Sequence, residues 1–346
     1  MNTTEKICNE LRSRLEQGVY APGSRFPSES MLADEFAVNK MTMNKVVSLL
    51  VERKYLIRGI RGAGTRVAEL NSVSRGAIAF LSPLTPYTIC VLRGVYAEAL
   101  RHNFTVLVES PSIEDFRNRM LILQNMGVSG VVSVTYGLPY LPEKMLLFCV
   151  DSEPRPAPAD QQVHFINSDN FQGGCQMMSE ILRRGHREIL IFSSERFFSA
   201  VNAPKTPRVC GFHKIMEQAG ITDFEERTFY SPPQSVEDAK RFLKLYLKVF
   251  PETTLIAADS DGSVALLHSA ALELGIDCPG SIALTGFGNV THLPIANVNQ
   301  NPERQGELAA RYIIEYAASG KCSAPPLEHI ETSLTGVEHI PIILKQ

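Results

Sequence analysis

The sequence predicts an α/β protein that begins with a small helical module. Within residues 3–54, apolar side chains recur with helical periodicity in three short segments, and two strand-like runs follow them. From Gly76 onward, short apolar runs alternate with helical stretches, which is typical of parallel sheets with crossover helices. This second region, residues 76–346, is long enough for two such α/β lobes.

Three helices are expected in the N-terminal module. The first runs to about Gln17. Ser28 is a good N-cap for a short second helix, and Asn39 is a good N-cap for a third helix that ends near Lys54. The apolar residues of the second helix that we expect to be buried are Met31, Leu32 and Phe36.

The third helix has two chemically different faces. Its apolar face consists of Met43, Val46, Val47 and Leu50. Its opposite face carries Met41, Asn44 and Lys45. A recognition helix needs this arrangement, because its outward side chains must reach base edges in the major groove. The two strand-like runs then flank a glycine-rich turn with Arg61 and Gly62 at its tip, where the backbone is able to approach a phosphate closely.

The first 70 residues are basic, although the whole chain is weakly acidic. Residues 1–70 contain 11 Lys and Arg against 8 Asp and Glu, whereas the full chain has a net charge of −3. Residues 36–66 contain seven basic residues and a single acidic one, Glu52. A basic patch on an otherwise acidic protein is typical of a small nucleic-acid-binding module. A solvated basic helix face is the alternative explanation.

The composition argues against several classes of protein. The chain starts without a basic segment followed by an apolar run, and no apolar run reaches membrane-spanning length, so we expect a cytoplasmic protein with no membrane partner. Its seven cysteines are scattered without a Cys-x-x-Cys pair, which favours free thiols over disulfides or a zinc site. The Asp-Ser-Asp-Gly stretch at 259–262 lacks the further ligands of a calcium loop. We expect no metal, no cofactor and no catalytic residue.

The N-terminal module resembles the winged helix-turn-helix of the GntR family. Pro-Ser-Glu at 27–29 and Gly-Ala-Gly-Thr at 62–65 carry this resemblance. The family contacts DNA near the start of its second helix, at the start of its recognition helix and at the wing tip. The positions that the resemblance implies here are Ser30, Lys40, Met41, Asn44, Arg61 and Gly62, beside which Lys45 points outward. Ser30 and Asn44 stand where the family usually has arginine, so the operator of a relative does not transfer to this chain.

Residues 76–346 resemble the effector domain of the LacI/GalR family, which is similar to periplasmic sugar-binding proteins. The stretches that carry the match, in the order of the family, are 185–189 (Gly-His-Arg-Glu-Ile), 208–212 (Arg-Val-Cys-Gly-Phe), 260–261 with 284–289, and 298–300 (Val-Asn-Gln). The resemblance implies two α/β lobes with parallel sheets and dimerisation through this domain. The combination of the two domains is similar to that of arabinose-type repressors.

In that family a sugar binds between the two lobes. The positions that match its ligand contacts are Asp169, Arg208, Asp261 and Gln300. Carboxylates and a guanidinium suit such a ligand, because they make charge-assisted hydrogen bonds with vicinal hydroxyls. The aromatic residues that follow strand-like runs, and that are candidates to pack on the apolar face of a sugar ring, are Tyr87, Tyr136 and Phe197.

Structural roles are the alternative for several of these residues. Asp169 and Arg208 could pair with each other across the cleft, and Tyr87 and Phe197 could be core or interface aromatics. Ser260 stands where the family usually has Asn, and Gly288 where it usually has Asp. The resemblance therefore leaves the identity of the sugar open.

We therefore expect a DNA-binding transcriptional regulator, a repressor, whose operator binding is controlled by a small sugar-like effector. The expected domains are a winged helix-turn-helix at 1–70, a linker at 71–75 and a sugar-binding and dimerisation domain at 76–346. The expected partners are double-stranded operator DNA, a neutral or weakly acidic monosaccharide and a second copy of the chain. The alternative is a solute-binding component of a sugar uptake or sensing system. An enzyme on a doubly wound fold lacks support, because neither an activated nucleophile nor an acid–base pair is evident.

Overall fold

The structure, a computed structural model, describes most of the chain. The described residues are 3–59, 64–68, 74–136, 145–152, 154, 162–193, 206–230 and 233–343. The chain divides into two compact units, the first from residues 1–76 with 101–105 and the second from 77–100 and 106–346. The predicted linker at 71–75 lies largely outside the described residues, and the predicted domain boundaries stay a prediction.

The described residues of the first unit form three helices and a two-stranded antiparallel hairpin. Its elements are α1 (Thr3–Glu16), α2 (Glu29–Glu35), α3 (Lys40–Glu52), β1 (Leu56–Arg58) and β2 (Thr65–Val67). A hydrophobic core joins them, to which the helices contribute Leu11, Leu32 and Met43 and the hairpin contributes Leu56 and Val67. The buried face of α3 is therefore the one that the periodicity predicts.

Side-chain caps set the start of α2 and of α3. Ser28 Oγ accepts a hydrogen bond from the Met31 N–H at 3.2 Å, and Asn39 Oδ1 accepts one from the Thr42 N–H at 2.7 Å. Both predicted caps are thereby confirmed. The expectation that Met31 is buried is wrong. Its side chain is 64% exposed, because the inward face of α2 is formed by its neighbour Leu32.

The second unit consists of two α/β lobes, and the described strands of each lobe form a six-stranded sheet. The first lobe comprises β3 (Gly76–Leu81), α4 (Pro86–Arg101), β4 (Phe104–Glu109), α5 (Phe116–Asn125), β5 (Gly130–Val134), β6 (Leu147–Val150), β7 (Val163–Ser168), α10 (Pro302–Ser319) and β13 (Leu327–Ile330). The second lobe comprises α6 (Asn170–Arg183), β8 (Ile189–Phe192), α7 (Pro207–Gln218), β9 (Thr228–Phe229), α8 (Val236–Val249), β10 (Leu255–Ala258), α9 (Asp261–Glu273), β11 (Ala283–Gly288), β12 (Ala296–Asn299) and β14 (Ser333–Thr335).

Both sheets are built mainly from parallel strands. The strand order is β13-β7-β6-β5-β3-β4 in the first lobe and β14-β12-β11-β10-β8-β9 in the second. In the first sheet, neighbouring strands from β13 through β7, β6 and β5 to β3 are parallel. In the second sheet, neighbouring strands from β12 through β11, β10 and β8 to β9 are parallel, whereas β14 runs antiparallel to β12. The predicted α/β class with parallel sheets is confirmed.

The chain passes between the two lobes after β7, after β12 and after β13. Each passage starts at the carboxyl end of a parallel strand. In parallel α/β sheets, ligand sites form at this end of the strands, because the loops and helix N-termini converge there. The topology therefore brings the passages and the carboxyl ends of both sheets to one cleft.

Candidate functional site

Polar and basic side chains cover the outward face of α3 and the neighbouring start of α2. We call this the recognition surface; the predicted residues exposed on it are Ser30, Lys40, Met41, Asn44 and Lys45. Ser30 and Lys40 line the same open groove, of about 720 Å³, together with Arg25 and Gly64. The remaining two predicted DNA-binding residues, Arg61 and Gly62, lie outside the described residues.

Glu29 organises the recognition surface. The Asn44 amide donates to both carboxylate oxygens of Glu29 at 3.0 Å, so this outward side chain is held against α2. Arg58 of the hairpin lies 3.4 Å from Glu29 and donates to Ser48 Oγ at 2.9 Å. We did not predict Arg25 or Arg58 as members of this surface. The sequence signals that could have predicted them are the place of Arg25 just after the Pro-Gly turn and the place of Arg58 in the hairpin.

A second candidate site lies in the second unit, in the cleft between its two lobes. It is a cavity of about 510 Å³, within the range of small-molecule sites. The first lobe contributes Tyr87, Thr135 and Asp151 to its lining, the second lobe contributes Arg208, Asp261 and Phe287, and Gln300 lies at the passage after β12. Thr135, Asp151, Asp261, Phe287 and Gln300 follow or end parallel strands of the two sheets, as expected for a ligand site in an α/β fold.

Arg208 connects the two lobes across this cavity. It lies in the first turn of α7, behind the Thr206 cap, and its guanidinium stacks on Phe287 with 4.6 Å between Cζ and the ring centroid. Nη1 donates to the carbonyl of Asp259 at 2.8 Å, and Nη2 lies 3.5 Å from Asp151 Oδ1 in the first lobe. Because Asp151 belongs to the other lobe, this ion pair spans the cleft.

Asp261 borders the cavity but is already bound to protein groups. Its Oδ2 accepts hydrogen bonds from the N–H groups of Val290 and Thr291 at 2.6 and 3.0 Å. Its Oδ1 accepts one from the Asn297 amide at 2.6 Å. The carboxylate therefore anchors the segment that follows β11, and it reaches the cavity wall from the N-terminus of α9.

Gln300 and Tyr87 complete the part of the predicted site that the structure brings together. The Gln300 amide donates to Asn170 Oδ1 at 2.9 Å, and Asn170 also accepts from Arg208 Nε at 3.3 Å. The Tyr87 hydroxyl donates to Gln305 Oε1 at 3.2 Å. Burial raises the pKa of Tyr87, and Asp151 raises it further while Arg208 opposes this effect. The Tyr87 hydroxyl therefore lies close to both charges.

Two predicted ligand residues do not line this cavity. Asp169 is the N-cap of α6, where its Oδ1 accepts a hydrogen bond from the Gln172 N–H at 2.9 Å. Tyr136 turns away, because its hydroxyl donates to the Pro111 carbonyl at 2.6 Å and its ring packs on Phe116. The alternative in which Arg208 pairs with Asp169 is not the arrangement of the described residues, where Arg208 pairs with Asp151. Phe197 lies outside the described residues.

The charged lining residue that sequence reasoning missed is Asp151. It directly follows β6, and it adopts a left-handed backbone conformation with φ of 48°. That conformation is unusual for a residue other than glycine and is concentrated at functional sites. The signal that could have found Asp151 is its place at the carboxyl end of a strand.

The described part of the chain contains neither a metal-binding cluster nor a helix that could span a membrane. No three His, Cys, Asp or Glu side chains among those residues are grouped to hold a metal ion. None of the seven cysteines, all of which lie in the described residues, forms a disulfide. None of the helices described has both the length and the apolar character that crossing a membrane requires.

Two known families match separate parts of the chain. Residues 3–67 match the bacterial regulatory proteins of the gntR family, and residues 179–335 match the periplasmic binding protein-like domain. The arabinose metabolism transcriptional repressor of Halalkalibacterium halodurans is 19% identical over 335 residues, which cover 89% of this chain and 87% of that protein. These matches confirm the predicted combination of domains.

Solved structures show the same fold. The complex of the transcriptional regulator CelR with cellobiose superimposes with a TM-score of 0.59 at 17% identity, covering 90% of this chain and 98% of that one. A LacI family transcriptional regulator from Enterococcus faecium with bound ribose gives a TM-score of 0.63 at 14% identity, covering 78% and 100%. The chain is therefore a transcription regulator in which a GntR-type helix-turn-helix domain precedes a periplasmic-binding-protein-like domain.

Proposed function

We propose that the chain is a cytoplasmic repressor that binds a palindromic operator as a homodimer and releases it when a small sugar-like effector enters the cleft between its lobes. The observation that carries this proposal is the cavity at the strand ends of two lobes, with Arg208, Asp151 and Asp261 in its lining, in the same chain as an exposed recognition surface. The relatives that bind sugars, among them the CelR–cellobiose and ribose complexes, support the class of effector.

The proposed role is binding rather than catalysis. Asp261 accepts three hydrogen bonds from protein groups, so this carboxylate holds the wall of the cavity. Arg208 and Asp151 face each other from opposite lobes, so a ligand with several hydroxyls that contacts both would favour one relative placement of the lobes. A ligand shifts such an equilibrium only by its differential affinity for the two placements. Release from DNA is the expected direction, because a sugar that induces its own catabolism must lift repression.

A screen of the full chain tests the proposed effector. Pentoses, hexoses and related sugar acids are added, and the melting temperature is measured, since a ligand that binds only the folded state raises it by mass action. Each hit is then added to the complex of the protein with its own promoter region in a gel-retardation assay. A hit that raises the melting temperature and leaves the DNA complex intact would contradict induction.

We expect Lys40→Ala to weaken operator binding. Lys40 is exposed at the first position of α3 and lines the groove with Ser30, so its loss should remove about one phosphate contact. The slope of log K against log salt should then become shallower by about 1. Lys6→Ala is the matched control, because Lys6 is exposed on α1, outside the helix-turn-helix, and should leave the slope unchanged. Equal slopes for wild type and Lys40→Ala would contradict the proposed DNA contact.

We expect the second unit to dimerise without the helix-turn-helix domain. The edge strand β4 of the first lobe is flanked in sequence by two helices with exposed apolar side chains, such as Tyr96 of α4 and Ile122 of α5. A shortened chain that begins at Gly76 should therefore sediment as a dimer at micromolar concentration. Tyr96→Lys should dissociate it, whereas Leu272→Lys, at an exposed position on α9 of the other lobe, should not. A monomeric shortened chain would refute dimerisation through this domain.

A further inference from the structure

Acidic groups outnumber basic ones at the cavity between the lobes. Among the described residues that line it, Arg208 alone carries a fixed positive charge, whereas Asp151 and Asp261 are both acidic and His292 is the remaining titratable base. Asp259, whose carbonyl binds Arg208, is a fully buried carboxylate next to the cavity. A ligand that enters the cavity therefore meets no excess of positive charge.

Each nitrogen of the Arg208 guanidinium already has a protein partner. Nε contacts Asn170, Nη1 contacts the carbonyl of Asp259, and Nη2 contacts Asp151. The guanidinium is also only 15% exposed and lies on the Phe287 ring. An anionic ligand that paired with Arg208 would have to displace Asp151 from the guanidinium. The displaced Asp151 carboxylate would then lie beside the negative charge of the ligand.

Asp151 is the carboxylate of this group with the least protein contact. Within the described residues, its contacts are long: Arg208 Nη2 and Gln300 Nε2 each lie 3.5 Å from Oδ1. Asp261, by comparison, accepts three hydrogen bonds, two of them at 2.6 Å. Asp151 therefore retains the capacity to accept hydrogen bonds from hydroxyl groups of a ligand, and its side chain is 20% exposed toward the cavity.

We infer that Asp151 selects the charge of the effector: the cavity takes an uncharged sugar or polyol and rejects the corresponding sugar acids and sugar phosphates. This inference rests on the proposed function and narrows its effector class. A ligand hydroxyl donates to the Asp151 carboxylate, whereas a ligand carboxylate has no proton to donate and repels it. With an effective dielectric constant of about 20, two like charges roughly 5 Å apart lower an affinity by about two orders of magnitude.

The substitution that tests this selection is Asp151→Asn. It removes the charge and keeps the size of the side chain and one acceptor oxygen. Asparagine also tolerates the left-handed backbone at this position, where φ is 48°. Asp115→Asn is the matched control, because Asp115 is an exposed carboxylate of the same lobe that does not line the cavity. Thermal melts establish that both variants are folded.

The measurement is calorimetric titration of the full chain with matched probes: L-arabinose and L-arabinonate, D-ribose and D-ribonate, and D-glucose and D-gluconate. For the pair that binds, wild type should prefer the neutral member by about tenfold or more. Asp151→Asn should reduce that ratio by about tenfold or more, mainly by strengthening binding of the acid. Asp115→Asn should keep the wild-type ratio.

Two results would overturn the inference. One is a wild-type chain that binds the acid as tightly as its neutral partner; the other is an unchanged ratio in Asp151→Asn. Both leave a sugar effector in place, so the proposed function would survive them. If no probe gives binding heat or a thermal shift with wild type or either variant, the sugar-effector function itself fails, and the charge selection fails with it.

Discussion

A chain with Arg208→Ala should still bind operator DNA, but a sugar effector should no longer release it. Arg208 lies far along the chain from the helix-turn-helix, so the recognition surface keeps its own core and caps. In the cavity, the substitution removes the cation that faces Asp151 and stacks on Phe287. Loss of hydrogen bonds from a charged donor should weaken effector binding by about 1.5–3 kcal/mol, or roughly 10- to 150-fold.

Titration calorimetry with the best ligand of the screen measures this loss, and gel retardation measures release from DNA. Arg183→Ala is the matched control. Arg183 is an exposed arginine on α6 that pairs with Glu180, so its removal should change neither affinity nor release. Equal effector affinities for wild type and Arg208→Ala would show that Arg208 does not bind the ligand, and the cavity would lose its main proposed contact.

Local sequence signals were sufficient to predict the first unit. The Ser28 and Asn39 caps and the apolar face of α3 depend on residues within a few positions of each other, and the structure contains them as predicted. The error at Met31 arose because α2 is so short that periodicity alone does not define its inward face. Asn44 illustrates the same limit: its orientation depends on Glu29, fifteen residues earlier in another helix.

The alternation of strands and helices was sufficient to predict the α/β class, but the residues of the cleft depend on long-range contacts. Asp169 and Tyr136 have the right chemistry for a sugar site, yet helix capping and packing on Phe116 engage them elsewhere. Asp151 meets Arg208 only because strands from both sheets end at the same cleft. No sequence pattern marks that encounter.

One motif behind the family resemblance turns out to be structural. His186 of the 185–189 stretch is buried, and its ring nitrogens contact Thr254 Oγ1 at 2.9 Å and the Pro341 carbonyl at 3.0 Å. Burial lowers the pKa of His186, so its neutral form is favoured in the folded chain. The motif therefore holds the start of β8 against the C-terminal segment, and it identifies the fold without identifying the ligand.

Gly174→Ala should destabilise the second unit and also weaken effector binding, although Gly174 does not line the cavity. Helices α6 and α7 touch through their backbones: a Cβ at Gly174 would overlap the carbonyl oxygen of Arg208, and one at Gly211 would overlap that of Phe171. Backbone atoms do not rotate away, so the helices must separate. We expect the free energy of unfolding to fall by about 1–3 kcal/mol or more. The melting temperature should fall by about 2–4 °C for each kcal/mol.

The same separation displaces Arg208, because the clashing carbonyl belongs to that residue. Effector affinity should therefore fall in Gly174→Ala even under conditions where the chain is fully folded. Gly262→Ala is the control for stability, since a Cβ there meets no atom within 4 Å and α9 gains a better helix former. Gly262→Ala should melt at or slightly above the wild-type temperature. If Gly174→Ala and Gly262→Ala have the same melting temperature, the backbone contact between α6 and α7 does not set the position of Arg208. Other contacts must then position the residues of the cleft.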